Sequence, residues 1–95
     1  MTAYVIAEVD VHDVDRYQRY RELVPPSLAP YGGRFVVRGG RTESLEGGWS
    51  PPRLVVLEFA DIDTARAWWS SVEYAEAKAL RQAIASTRMV LVEGA

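Results

Sequence analysis

Apolar positions along this chain follow two rhythms. Residues 4–7, 54–57 and 89–92 are continuous apolar runs. A strand with one wet face alternates, so these runs predict strands covered on both faces. Elsewhere the apolar positions recur at helical spacing: Val14, Tyr17, Tyr20, Arg21 and Val24; then Ile62, Ala65, Trp69 and Val72, flanked by Trp68; then Ala77, Leu80 and Ile84. Asp13 and Asp61 stand where a carboxylate caps a helix N-terminus.

Breakers divide the pattern. Pro25-Pro26 is expected to break or kink the first helix, with a short further turn over 27–31 ended by Gly32-Gly33. A strand over 34–38 follows, with Phe35 and Val37 on one side and Val36 on the other. A bulge or bend is expected at Gly39-Gly40, an outer extension over 41–46, and a Gly/Pro-rich turn over 47–52. Ser70-Ser71 weakens the second helix before a new turn series begins near Glu73. With strands over 3–11, 53–59 and 87–93, the order is β-α-β-β-α-β.

That order is the split βαβ arrangement of ferredoxin-like folds: α+β, with a four-stranded antiparallel sheet in a single domain over residues 1–95. Right-handed crossovers put both helices on one sheet face, and the first and third strands are central. The other face needs a cover, which a second copy of the chain supplies. The expectation is a homodimer, two sheets face to face in a dimeric α/β barrel with the helices outside.

Composition narrows the functions. A net charge of −2, from eleven basic and thirteen acidic residues, gives no attraction to nucleic acid or an anionic membrane. Cysteine is absent, which excludes disulfides, thiolate metal sites and cysteine nucleophiles. No apolar stretch approaches the ~20 residues of a bilayer span. The sequence enters strand-like residues almost at once, without a basic leader, so a cytoplasmic protein is expected.

Several phrases carry a family resemblance. Tyr31-Gly32-Gly33-Arg34-Phe35-Val36-Val37-Arg38-Gly39-Gly40 is the most specific. Arg53-Leu54-Val55-Val56-Leu57-Glu58-Phe59, Ala65-Arg66-Ala67-Trp68-Trp69, Glu73-Tyr74 and Ala77-Lys78-Ala79-Leu80-Arg81 follow in register. Together they resemble the bacterial domain-of-unknown-function family numbered 1330. The resemblance implies the dimeric α/β-barrel superfamily, which includes cofactor-free oxygenases, haem-degrading enzymes, isomerases, cyclases and ligand sensors. It implies no particular reaction. This chain has Val72 where the family pattern has proline.

The candidate chemistry is sparse. His12 is the single histidine, at a strand end beside the capping Asp13, and reads as a loop residue. The superfamily's haem-degrading members use a histidine on a helix, which this chain lacks. Glu8 and Glu58 sit on adjacent central strands; a carboxylate inside a barrel can shuttle protons, and an ion pair with Arg38 or Arg88 is the simpler role. Arg38, before Gly39-Gly40, suits a bidentate anion anchor or an interface ion pair. Tyr17 and Trp68 read as core or pocket wall, and Tyr31 as a hydroxyl donor into the same cleft. Tyr74, Lys78 and Arg81 share a helix flank at i, i+4 and i+7, an anion-binding edge or a solvated salt-bridge face. Trp49 reads as an interface plug.

No phosphate-cradling loop, metal-ligand cluster or nucleophilic triad is present, so no cofactor and no metal are expected. The reading is a homodimer that binds a small apolar or aromatic acid in a sheet–helix cleft. Arg38, Tyr17, Tyr31, Trp68, Tyr74 and Arg81 would form the site, with Glu58 as proton acceptor. The alternatives are a cofactor-free oxygenase, isomerase or cyclase using Glu58 with Tyr31 or Arg38, and a structural dimer without a ligand.

Overall fold

A computed structural model describes residues 1–95. The strands are β1 (Ala3–Val11), β2 (Arg34–Arg38), β3 (Leu54–Phe59) and β4 (Ala85–Glu93). The helices are α1 (Val14–Leu28), α2 (Ile62–Trp69) and α3 (Val72–Ile84), with a 3-10 turn at Ala29–Tyr31. The sheet is antiparallel in the order β2-β3-β1-β4, so β1 and β3 are central as expected.

Register sorts the side chains into two faces. Ala3, Val5, Ala7 and Val9 of β1 are buried beneath the helices, opposite Phe59, Leu57 and Val55 of β3 and Leu91 and Met89 of β4. Tyr4, Ile6 and Glu8 point the other way, with Glu58, Val56 and Leu54 on one side and Val92, Val90 and Arg88 on the other. This second face carries no helix. Its valines stand in solvent in the single chain, Val90 at 56% exposure and Val92 at 41%. The apolar runs arise because this face is apolar too.

Both helix caps form as expected: Asp13 accepts the Arg16 amide and Asp61 the Thr64 amide. The prolines do not end α1, which runs on to Leu28. Proline nitrogens at 25 and 26 leave the carbonyls four residues back without their usual donors. The Arg21 carbonyl instead accepts the Arg38 guanidinium at 2.9 Å, so a side chain from β2 repairs the gap.

The second helical stretch is rephased at its serines. Ser71 caps α3 by accepting the Tyr74 amide and donates its own hydroxyl to the Trp68 carbonyl at 2.6 Å. The expected stripe through Trp69 and Val72 is therefore wrong. Ala65 and Trp68 are buried, Trp69 is partly exposed, and Val72, the first residue of the new helix, is exposed. In α3 the buried line is Tyr74, Ala77, Arg81 and Ile84.

Strand β2 holds a further correction. The bulge lies at Val36, between the pairs Phe35–Leu57 and Val37–Val56, and not at Gly39-Gly40. The extra residue shifts the alternation by one. Phe35 and Arg38 consequently share the helix-covered face, Arg38 opposite Val55, while Val37 moves to the open face. No strand forms over 41–46, because β2–β3 pairing ends at Arg38–Val55. The connecting loop instead brings Trp49 back over the open face, where its indole N–H donates to Glu8 at 2.9 Å.

Candidate functional site

The site is built under the sheet. Trp68 closes it on the apolar side, wholly buried between Phe59 and Tyr74, whose rings lie 5.5 and 4.0 Å away between centroids. Its indole N–H donates to Ser27 at 3.0 Å, and Ser27 donates to the Val24 carbonyl at 2.6 Å, which locks α2 to α1. Tyr17 and Tyr20, three residues apart on α1, point at the sheet with ring centroids 5.2 Å apart.

Between these walls lies a cavity of about 30 Å³, room for a water or two. Valines 5, 9, 24 and 55, Ala7, Leu57, Met89, Phe35, Trp68 and the two tyrosines line it. Its remaining lining residues are Arg21, Arg38, Arg53 and Arg81. No carboxylate lines it, and none of these arginines takes part in a salt bridge.

Each guanidinium rests on neutral groups. Arg38 stacks 4.1 Å over the Phe35 ring while holding the Arg21 carbonyl. Arg53 donates to the Tyr17 hydroxyl at 3.2 Å. Arg81, only 4% exposed, donates to the Tyr74 hydroxyl at 3.4 Å. The Arg21 Nε is buried without a partner. Partial burial lowers the Arg38 pKa, and the nearby charges of Arg21 and Arg53 lower it further. No carboxylate among the lining residues offsets that mutual repulsion. Gly39, at φ +73°, gives the Arg53 guanidinium its place; a Cβ there would collide with it.

Tyr20 and Tyr74 share a 2.7 Å hydrogen bond between their hydroxyls. Burial raises the Tyr20 pKa, and Tyr74 raises it further, so the phenol stays protonated.

The structure therefore unites Tyr17, Arg38, Trp68 and Arg81 around one cavity, with Tyr74 directly behind Arg81. Two expected members lie elsewhere. Glu58 points to the open face, where Arg34 donates to it at 2.8 Å, because strand alternation sets it opposite Leu57 and Phe59. Tyr31 turns outward and donates to Glu73 at 2.8 Å, which lowers the Glu73 pKa and raises its own. Glu58 is thus brought to neither Tyr31 nor Arg38. The flank of Tyr74, Lys78 and Arg81 is also divided: Lys78 donates to the Trp69 carbonyl at 2.9 Å and sits over the Trp69 ring, away from the other two.

Three cavity residues, Tyr20, Arg21 and Arg53, went unassigned from the sequence. Arg21 carried a signal, a charged residue inside an apolar helical stripe. Glu8 is held on the open face by Arg88 at 2.6 Å and by Trp49. The His12 ring bonds Ser86 at 3.1 Å, and its backbone amide donates to the Ile84 carbonyl. No group of three or more acidic or histidine residues could hold a metal, and no helix is long and apolar enough to cross a membrane.

A split βαβ sheet with one helix-covered face and one bare apolar face defines a ferredoxin-like α+β protein. Residues 2–95 match the family described as a domain of unknown function, DUF1330, and the chain belongs to that family. No curated protein matches it. Among solved structures it is similar to a protein of unknown function from Rhodopseudomonas palustris, with TM-score 0.79 and 17% identity over 99% of this chain and 82% of that one. It is also similar to a dimeric ferredoxin-like protein of unknown function from Jannaschia, with TM-score 0.71 and 16% identity over 99% and 100%. A third likeness is to SnoaB, a cofactor-independent oxygenase from Streptomyces nogalater, with TM-score 0.59 and 11% identity over 99% and 93%.

Proposed function

We propose that the protein is a homodimer whose protomers each bind a small apolar or aromatic acid in the cavity between sheet and helices. The observation that carries this reading is the lining: apolar and aromatic walls, and four arginines without a single carboxylate. Arg81 is buried, Arg21 and Arg53 half-buried; enclosed cations cost free energy unless an anion joins them, and no carboxylate lines this cavity. Arg38 and Arg53 would hold the acid group in forked hydrogen bonds. The Tyr17 hydroxyl, accepting from Arg53, would add its own proton, and Trp68 would be the apolar floor. A ring-sized ligand exceeds the present space, so Arg38, exposed at the rim, would swing outward to admit it.

Thermal shift and calorimetry with benzoate, phenylacetate and their uncharged amides test this. The acids should stabilise the protein, the amides should not, and Arg38→Gln should weaken acid binding about tenfold, the loss of a charge-assisted contact. Acids and amides behaving alike would exclude the reading.

Self-association is supported by the bare face of Ile6, Val56, Val90 and Val92 and by the dimeric relatives. Trp49, 55% exposed, lies on that same face. Sedimentation should find a dimer, and Val90→Lys should yield folded monomer, weakening association by about 2 kcal/mol, the size of an interface hot spot. Wild-type protein sedimenting as monomer would remove the homodimer.

A further inference from the structure

The four cations of the cavity stand at two poles. Arg38 holds the Arg21 carbonyl, and both Arg21 and Arg53 lie close enough to repel its charge. Arg81 stands apart, against the Tyr20–Tyr74 phenol pair. Tyr17 and Tyr20, their rings in tilted contact, link the two, since Tyr17 bonds Arg53 and Tyr20 bonds Tyr74.

The Arg81 pole has donors to spare. A guanidinium only donates, and Tyr74 accepts from it. Of the two phenols, one donates to the other, so one hydroxyl proton is left without an acceptor in the chain. A monoacid bound at the first pole leaves this one unchanged: a cation only 4% exposed, facing no negative charge.

We propose that the ligand is a diacid, a compact apolar body with an anionic group at each end. One group binds at Arg21, Arg38 and Arg53, and the other takes the Arg81 guanidinium and the spare phenolic proton. The proposal rests on the acid-binding reading above and states which acids the cavity prefers.

Calorimetry at fixed ionic strength with two matched pairs, benzoate against terephthalate and hexanoate against adipate, decides it. In at least one pair the diacid should bind about tenfold or more tightly than its monoacid, the worth of a second charge-assisted contact. Arg81→Met should abolish that advantage, bringing each diacid down to the affinity of its monoacid for the same variant, and Arg38→Gln should weaken both. Equal affinities within both pairs, or an advantage that survives Arg81→Met, overturn the diacid assignment and leave acid binding standing. Binding of none of the four acids overturns the acid-binding reading itself. Should Arg81→Met fail to fold, the wild-type ratios decide alone.

Discussion

On the open face of the sheet each arginine lies against a glutamate: Arg88 against Glu8 at 2.6 Å and Arg34 against Glu58 at 2.8 Å. On the covered face Arg38, Arg53 and Arg81 meet only a carbonyl, rings and phenols, and Arg21 donates to the Gln18 side-chain amide oxygen. The same residue type thus serves two ends. The open-face pairs are complete within one chain. Such pairs, half in water, add little to stability, and they leave no unmatched glutamate on the apolar face proposed above for self-association. The covered-face arginines have no carboxylate among the residues that line their cavity. The sheet thus pairs its charges on the open face and leaves them without a carboxylate on the covered one, the contrast from which the acid-binding proposal is argued.

The largest single effect on that contrast is expected at Trp68, which holds up the covered face. Trp68→Ala removes a wholly buried indole and its bond to Ser27. Loss of a buried tryptophan costs about 3–5 kcal/mol. Urea unfolding at fixed protein concentration measures it. A loss under about 1 kcal/mol would mean that the cavity's walls contribute far less than their burial implies.

The fold was legible in the sequence, because apolar period and breakers report backbone geometry directly: the strand order, both aspartate caps and the bare sheet face follow from them. The site was half legible. Tyr17, Arg38, Trp68 and Arg81 were named, but the reason Arg38 reaches the cavity is the bulge at Val36, which inverts the facing of everything after it. No residue type announces a bulge at a valine. The break at Ser71 takes Val72 out of the α2 stripe, which within α2 runs through Ala65 and Trp68 and not through Trp69. Glu58 was misplaced for a simpler reason. A two-residue period says that its side chain opposes those of Leu57 and Phe59, and which face the helices cover is decided by the whole assembly. The arginine cluster stayed hidden because its members come from α1, β2, α3 and the residue before β3, where no spacing rule connects them.

Acid tests the open face selectively. The Trp49 indole N–H, and after it Arg88, hold the Glu8 carboxyl below the usual carboxylate range. A depressed pKa contributes stability that is complete above the unfolded carboxyl's pKa and is lost as pH falls through the folded value. The wild-type Tm should therefore decline in acid more steeply than that of Glu8→Gln, with the two curves converging at the lowest pH. Parallel curves would show that Glu8 takes no part in acid sensitivity. The covered face, with no carboxylate among its lining residues, should contribute nothing over this range.

The smallest effect sharpens the comparison by touching neither face. Val72 is the first residue of α3, 84% exposed, and its amide has no acceptor in the chain. Proline is favoured at that position, since the amide it removes has no helical partner and its fixed φ suits the first turn. The preceding residue must be extended, and Ser71 is, at φ −76° and ψ 158°. Nothing in the folded chain resists the change, while the unfolded chain loses freedom, so Val72→Pro should stabilise by about 0.4–1 kcal/mol. The variant should raise Tm without altering acid affinity or self-association, because it acts on the unfolded chain. A change in either would mean that the α2–α3 junction communicates with a face of the sheet through Ser71, which is bonded both to Trp68 and to Tyr74.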